Sequence, residues 1–215
     1  MKIGFDVDGV LADFSSGYQE VLKKVSGRDL FLPGDAADAP CWDWDKFRGY
    51  TSKERLAAWN YIRTTPEFNL NLAPLEGAGT LKLLIRALER KHAVYFITSR
   101  VGDRPKRWTE IWLTAHLDYR TDVAPTVLIA EQRSKGLFAK ALGLDVYVDD
   151  NFDNVHDVVA LQPECRTYLR SRSYNRQSMV GEPGAYQLVE YPPVNPLIVR
   201  IDRLGEMFDA ELSNL

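Results

Sequence analysis

Short, largely apolar runs that stop abruptly at acids or hydroxyls constrain this chain more than any other feature. Ile3-Gly4-Phe5 ends at Asp6-Val7-Asp8-Gly9, Val94-Tyr95-Phe96-Ile97 at Thr98-Ser99-Arg100, and Val146-Tyr147-Val148 at Asp149-Asp150. Val127-Leu128-Ile129 and Arg166 to Leu169 read as two further strands. Runs of this kind suit strands buried on both faces. Between them the period is helical: Leu81, Leu84, Ile85 and Leu88 share one face, as do Trp108, Ile111, Trp112 and Ala115. A helix holding Leu137, Phe138, Ala141 and Leu142 follows Ser134 as N-cap and stops at Gly143. The alternation predicts an α/β fold, a parallel sheet covered on both faces.

The alternation is interrupted once. After the first strand, Phe14, Tyr18, Val21, Leu22 and Val25 predict a helix closed by Gly27. Residues 29–50 are rich in Pro, Gly, Asp and aromatics and read as irregular. Thr51-Ser52-Lys53-Glu54 has the form of a capping box, opening a helix through Leu56, Trp59 and Ile62 that stops before Pro66. Residues 15–74 are therefore expected to form a helical cap, with 1–14 and 75–215 as the core. Residues 170–196 read as a long loop, in which Arg170, Arg172 and Arg176 are solvated in preference to forming a phosphate-steering patch, and Ile201, Leu204 and Phe208 suggest a last helix.

Composition narrows the function. Hydrophobic residues at 45% and charged residues at 27% are ordinary for a globular chain, and 215 residues can bury a core without staples. A net charge of −3 argues against a nucleic-acid or membrane surface, both of which call for basic faces. Met1-Lys2 runs straight into a strand and no apolar run approaches a membrane span, so a cytoplasmic protein is expected. Cys41 and Cys165 show no metal-ligand spacing and read as buried free thiols. His92, His116 and His156 form no cluster.

In an open parallel sheet, ligands bind beyond the carboxyl ends of the strands. There the sequence delivers Asp6, Asp8, Thr98, Ser99, Arg100, Asp149 and Asp150, with Lys135 opening the helix before the fourth strand. Four carboxylates at one edge repel by about 4 kcal/mol per pair at 4 Å and an effective dielectric near 20. A hard divalent cation relieves this, and a few carboxylates with waters and a substrate phosphate are the usual surroundings of Mg2+. Thr98 can hydrogen-bond a phosphoryl oxygen while Lys135 supplies fixed positive charge. A carboxylate nucleophile two residues from a second acid suits in-line attack with protonation of the leaving oxygen.

In this order and strand context the residues resemble the four motifs of the haloacid dehalogenase superfamily. Asp6 to Asp13 matches the first motif, Thr98 the second, Lys135 the third and Asp149-Asp150 the fourth. The resemblance implies a Rossmann-like three-layer α/β/α parallel sheet with a small helical cap inserted after the first strand. It further implies Asp6 as covalent nucleophile and metal ligand, and Asp8 as general acid and base whose carbonyl touches the metal. Thr98, Ser99 and Lys135 would bind phosphate, and Asp149 and Asp150 would complete the Mg2+ site. Lys140 also lies near the fourth motif, but Lys135 is preferred because it stands at the helix start. Dehalogenases of the superfamily lack the second acid, so phosphoryl chemistry is implied.

The finer resemblance is to the 5'(3')-deoxyribonucleotidases, through Gly9 to Phe14, Thr98-Ser99, Asp149-Asp150 and Tyr174-Asn175-Arg176. It implies a small-molecule nucleotide substrate with aromatic cap residues around the base; Phe14, Trp42 and Trp44 are candidates, with Arg100 near the phosphate. Tyr18 and Trp59 lie on apolar stripes and read more simply as core, and Trp108 and Trp112 as packing. Arg170-Ser171-Arg172-Ser173 and Asn151 depart from the family pattern and leave base and sugar choice open. The alternatives are a phosphatase acting on nucleic-acid ends or another small phosphate ester, and a catalytically silent binding module. Oligomeric state is left open, a homodimer included.

Overall fold

The computed structural model describes residues 1–30, 41–42, 44–119, 124–131, 133–182, 185–190 and 195–212. After β1 (Lys2–Phe5) come four helices in succession, α1 (Phe14–Ser26), α2 (Trp44–Phe47), α3 (Ser52–Thr64) and α4 (Pro66–Leu70). Then α5 (Ala78–Glu89), β2 (Ala93–Thr98), α6 (Pro105–Leu117), β3 (Val127–Ile129) and α7 (Lys135–Leu142) alternate. They are followed by β4 (Val146–Asp149), α8 (Phe152–Leu161) and β5 (Arg166–Arg170).

The stretch 170–196, expected as one loop, is folded where it is described. β6 (Gln177–Glu182) and β7 (Ala185–Glu190) pair as an antiparallel hairpin. β8 (Ile198–Ile201) joins the main sheet beside β5, so Ile201 ends a strand, and α9 (Leu204–Leu212) begins after it. Two short helices were also unexpected, α2 within the irregular 29–50 stretch and α4 starting at Pro66. Proline at the first helical position gives up no hydrogen bond, so the residue that stops α3 also starts α4. The rest of the 29–50 reading falls largely on residues 31–40, outside the described residues.

All six strands of the main sheet run parallel in the order β3-β2-β1-β4-β5-β8. Side chains alternate between its faces. Ile3, Phe5, Phe96, Val146 and Val148 pack with Ile85, Trp112, Leu113 and Phe208. Ile97 and Tyr147 pack with Ala139, Leu144 and Val158. Helices therefore cover both faces, the three-layer α/β/α architecture. Each such fully buried large side chain contributes about 1.5–3 kcal/mol.

The local signals behaved as chemistry dictates. Gly27 and Gly143 end α1 and α7 with positive φ, where a side chain would be strained. Thr51 and Glu54 form the reciprocal capping box of α3. Ser134 stands at the N-cap position of α7, but its hydroxyl donates to the Glu131 carbonyl at 2.8 Å instead of accepting from the helix. Cys41 and Cys165 are buried free thiols.

The two chain crossings that bound the α1–α4 insertion lie side by side. Ala12 pairs antiparallel with Pro74, the Asp13 N–H donates to Ala73 at 2.8 Å, and the Leu75 N–H to Leu11 at 2.8 Å. Arg170, expected in solvent, is 4% exposed and braces this neck from β5. It pairs with Glu76 at 2.8 Å and donates to the Val10 carbonyl. Arg172 is half-buried, 3.9 Å from Asp13, and only Arg176 of the three is exposed, against Asp202. The Glu76 carboxylate and the Val10 carbonyl offset part of the cost of taking the Arg170 guanidinium out of water, although burial still lowers its pKa, and loop composition reveals neither partner.

Candidate active site

The strand order reverses between β1 and β4, and ligands of open α/β sheets bind at that reversal. Phe5 is in register with Val148, and the Asp6 N–H donates to the Val148 carbonyl at 2.9 Å. The chain thus sets Asp6 beside Asp149 as it leaves β1. One carboxylate oxygen from each of Asp6, Asp149 and Asp150 lies within 4.8 Å of the others, and all three residues are buried.

Lys135 is the counter-charge. Its side chain is 1% exposed, with Nζ 2.9 Å from Asp6 Oδ1 and 2.8 Å from Asp149 Oδ2. Lys140 is exposed in the last turn of α7. Asp149 also accepts from the Tyr147 hydroxyl at 2.5 Å, the Asn151 N–H at 2.8 Å and the Asn154 amide at 3.2 Å. Asp150 accepts from the Tyr174 hydroxyl, while its backbone carbonyl takes the Asn175 amide at 2.7 Å. Gly9, at φ 76°, leaves room for this contact: a Cβ there would stand 1.9 Å from Asp150 Oδ2.

Three buried carboxylates against one ammonium leave the centre short of positive charge. Burial, offset by Lys135 and reinforced by Asp149 and Asp150, raises Asp6 well above the usual carboxylate range. Burial, then the neighbouring Asp149, lifts Asp150 to about 7. Burial opposes the Lys135 ammonium, yet Asp149 and Asp6 hold its pKa above the usual lysine value. An oxygen-only donor set with excess negative charge fits a hard divalent cation.

The phosphate-binding candidates lie at the neighbouring strand end. The Thr98 and Ser99 hydroxyls are sealed from solvent without a hydrogen-bond partner among the described residues, although both residues line the cavity in front of Asp6. Buried hydroxyls left in that state suit an incoming oxyanion.

Asp8 departs from expectation. Its carboxylate faces Arg100 and lies outside the three-acid cluster, so the sequence's four converging carboxylates are three. Arg100 grips Asp8 through Nη2 at 2.7 Å and through Nε at 3.0 Å to both oxygens. The Arg100 side chain is itself 1% exposed, lying over the Trp112 ring. The Arg100 guanidinium thus meets a carboxylate, where a phosphate contact had been considered.

A cavity of about 650 Å³ opens from this centre beneath α1–α4. Phe14, Trp42 and Trp44 all line it, as do Trp59, which had read as core but is exposed, and Tyr18, which is buried in the core as expected and also borders the cavity. Trp44 is buried and meets Tyr18 edge-on at 6.4 Å. Trp42 is 46% exposed and lies 4.5 Å from the Tyr174 ring.

Comparison with known proteins places this arrangement. The profile of the family described as 5' nucleotidase, deoxy (pyrimidine), cytosolic type C protein matches residues 1–184. The chain belongs to this family. No curated protein matches the sequence of this nucleotidase. Among solved structures it is similar to the HAD-hydrolase YfnB of Bacillus subtilis, bound to magnesium (TM-score 0.57, 14% identity, covering 100% of this chain and 98% of that one). It is also similar to CbbY of Rhodobacter sphaeroides in complex with phosphate (TM-score 0.52, 15% identity, 96% and 95%). A third is a predicted phosphoglycolate phosphatase of Haemophilus somnus (TM-score 0.51, 17% identity, 97% and 96%). At these identities the likeness establishes the haloacid dehalogenase fold.

Several residues of the nucleotidase site were not assigned from sequence. Tyr147 and Asn154, which hold Asp149, carried no assignment from sequence; Tyr174 holds Asp150, and Arg100, considered from sequence for phosphate, holds Asp8. Tyr174-Asn175 carried a signal as a family segment, but its reach back to Asp150 spans 24 residues and a change of direction.

Proposed function

We propose that this protein is a magnesium-dependent phosphomonoesterase that hydrolyses deoxyribonucleoside monophosphates through an aspartyl-phosphate on Asp6. The carrying observation is the buried Asp6–Lys135–Asp149–Asp150 cluster at an aromatic-walled cavity that Thr98 and Ser99 also line, their buried hydroxyls without a hydrogen-bond partner among the described residues. Asp6, Asp149 and Asp150, with the Asp8 carbonyl, would hold Mg2+. Bound there, the ion would offset the carboxylates and the substrate's phosphate charge.

Thr98, Ser99 and Lys135 orient the phosphoryl group. Asp6 Oδ1 accepts from the Val7 N–H at 2.7 Å and from Lys135, leaving Oδ2 without a protein partner among the described residues. Oδ2 attacks phosphorus as the bond to the nucleoside oxygen breaks, and Asp8 gives that oxygen its proton. Water then attacks the aspartyl-phosphate, Asp8 takes the water's proton, and phosphate leaves with Asp6 restored. Arg100 fixes the direction of Asp8 throughout.

Residues 15–74 act as the cap and residues 1–14 with 75–215 as the catalytic core, a division supported by the paired crossing at Ala12 and Pro74. We read the compartment as cytosolic from the family's description. Among the described residues no helix is long and apolar enough to cross a membrane. The test is phosphate release from a panel of nucleotides, sugar phosphates and 3'-phosphorylated oligonucleotides, with and without magnesium. Magnesium-dependent preference for nucleoside monophosphates is expected; preference for sugar phosphates or oligonucleotide ends would overturn the reading.

A further inference from the structure

The cap side of the cavity is walled by rings, Phe14, Tyr18, Trp42, Trp44 and Trp59 among them. Rings hold a nucleobase by stacking but sort bases poorly, because every base presents a π-face. The Tyr18 hydroxyl adds no free donor, since it is bound to Asp45 at 2.8 Å. Asn69, on α4, stands in the same wall.

Asn69 is 3% exposed, and its amide makes no hydrogen bond with any described residue. Neither amide atom is among those sealed from all open space without a partner, so the amide faces the cavity. Buried side-chain amides are rarely left in this state unless something else supplies the partner. The segment is firmly placed. Pro66 starts α4, Phe68 packs edge-on against Phe14 at 5.4 Å, and the Trp112 indole N–H holds the Leu72 carbonyl at 2.8 Å.

We propose that Asn69 is the specificity-determining residue of the cap wall, its amide reading a hydrogen-bonding edge of the nucleobase while the rings stack its face. A carboxamide offers an acceptor oxygen and a donor NH2, the pair that matches the adjacent donor and acceptor atoms along a base edge. Phosphate binding and chemistry stay with the strand-end residues, so Asn69 discriminates through the part of the substrate that does not react. This inference rests on the nucleotidase reading of the cavity.

Two near-isosteric variants test it, Asn69→Leu and Asn69→Asp, assayed on deoxycytidine monophosphate, thymidine monophosphate and the base-less deoxyribose 5-phosphate. With Asn69→Leu, kcat/KM for the preferred nucleotide should fall about tenfold further than that for deoxyribose phosphate, through KM. Asn69→Asp keeps the acceptor but sets a second carboxylate oxygen against the base's own acceptor (N3 of cytosine, O4 of thymine), so kcat/KM for both nucleotides should fall about tenfold relative to that for deoxyribose 5-phosphate. Equal losses on all three substrates, or an unchanged ratio of nucleotide to deoxyribose 5-phosphate in both variants, would overturn the assignment. Asn69→Asp retains the side chain's volume, so it keeps the test open if the leucine variant does not fold. Failure of the unaltered protein to hydrolyse any nucleotide would instead remove the underlying nucleotidase reading.

Discussion

The strand-end centre and the cap wall share one cavity but are built on opposite principles. At the centre, Asp149 draws its partners from residues 2, 5 and 14 positions away, namely Tyr147 and Asn151, Asn154, and Lys135. Short connections and a buried charge network leave each group one arrangement. The cap wall is assembled from α1, α3, α4, Trp42 and Trp44, and its members make ring contacts at 4.5 to 6.4 Å. Ring contacts tolerate changes of size and tilt that ion pairs do not. The centre therefore tolerates little change, whereas the ring wall can be retuned by substitution; in our proposal the first carries the chemistry and the second the choice of substrate.

Breaking the centre should be the more drastic. Asp6→Asn removes the nucleophile and should lower kcat by at least about 10³-fold on every phosphate ester, measured by phosphate release. Turnover near the original level would refute the covalent route. Next in size is Arg100→Ala, which frees Asp8. We expect kcat on nucleotides to fall about 100-fold. The loss on p-nitrophenyl phosphate should be much smaller, because that leaving group needs no proton. Equal losses on both substrates would mean that Arg100 does not act through Asp8.

Changes in the cap should act on KM. Trp42→Ala is expected to raise KM for nucleotides about tenfold with kcat retained, the loss of one stacking ring. An unchanged KM would return Trp42 to packing against Tyr174. The smallest effect lies in the scaffold of α3. The Thr51 N–H, then Arg28, depress Glu54 to about 2 from its ordinary 4.5. The folded state therefore favours the carboxylate, and this stabilisation is complete above pH 4.5 and lost as pH falls towards 2. Glu54→Gln should melt below the parent at pH 7, and the gap should narrow below pH 4.5. A gap independent of pH would show that the carboxylate's charge plays no part.

Several elements were legible because their causes are local. The α3 capping box, the Gly27 and Gly143 stops and the five strands from β1 to β5 follow from spacing and conformational preference within a few residues. β8 was missed because a four-residue edge strand after a long Ser-, Pro- and Gly-rich stretch carries too little pattern. The β6–β7 hairpin was missed because its strands, Gln177-Ser178-Met179-Val180-Gly181-Glu182 and Ala185-Tyr186-Gln187-Leu188-Val189-Glu190, mix apolar and polar residues without sustained alternation.

The order of acids, hydroxyls and lysine at strand ends is written in the sequence, because parallel strands joined by helices must bring those ends to one edge. Only tertiary structure decided how the groups meet. Arg100 reaches Asp8 across 92 residues, and Arg170 reaches Val10 across 160. The Asn69 amide is turned to the cavity only because α4 docks beneath Phe14. A side chain's partner at such separations is fixed by where the backbone returns and by which polar group lacks water there, and neither is carried by its neighbours in the chain.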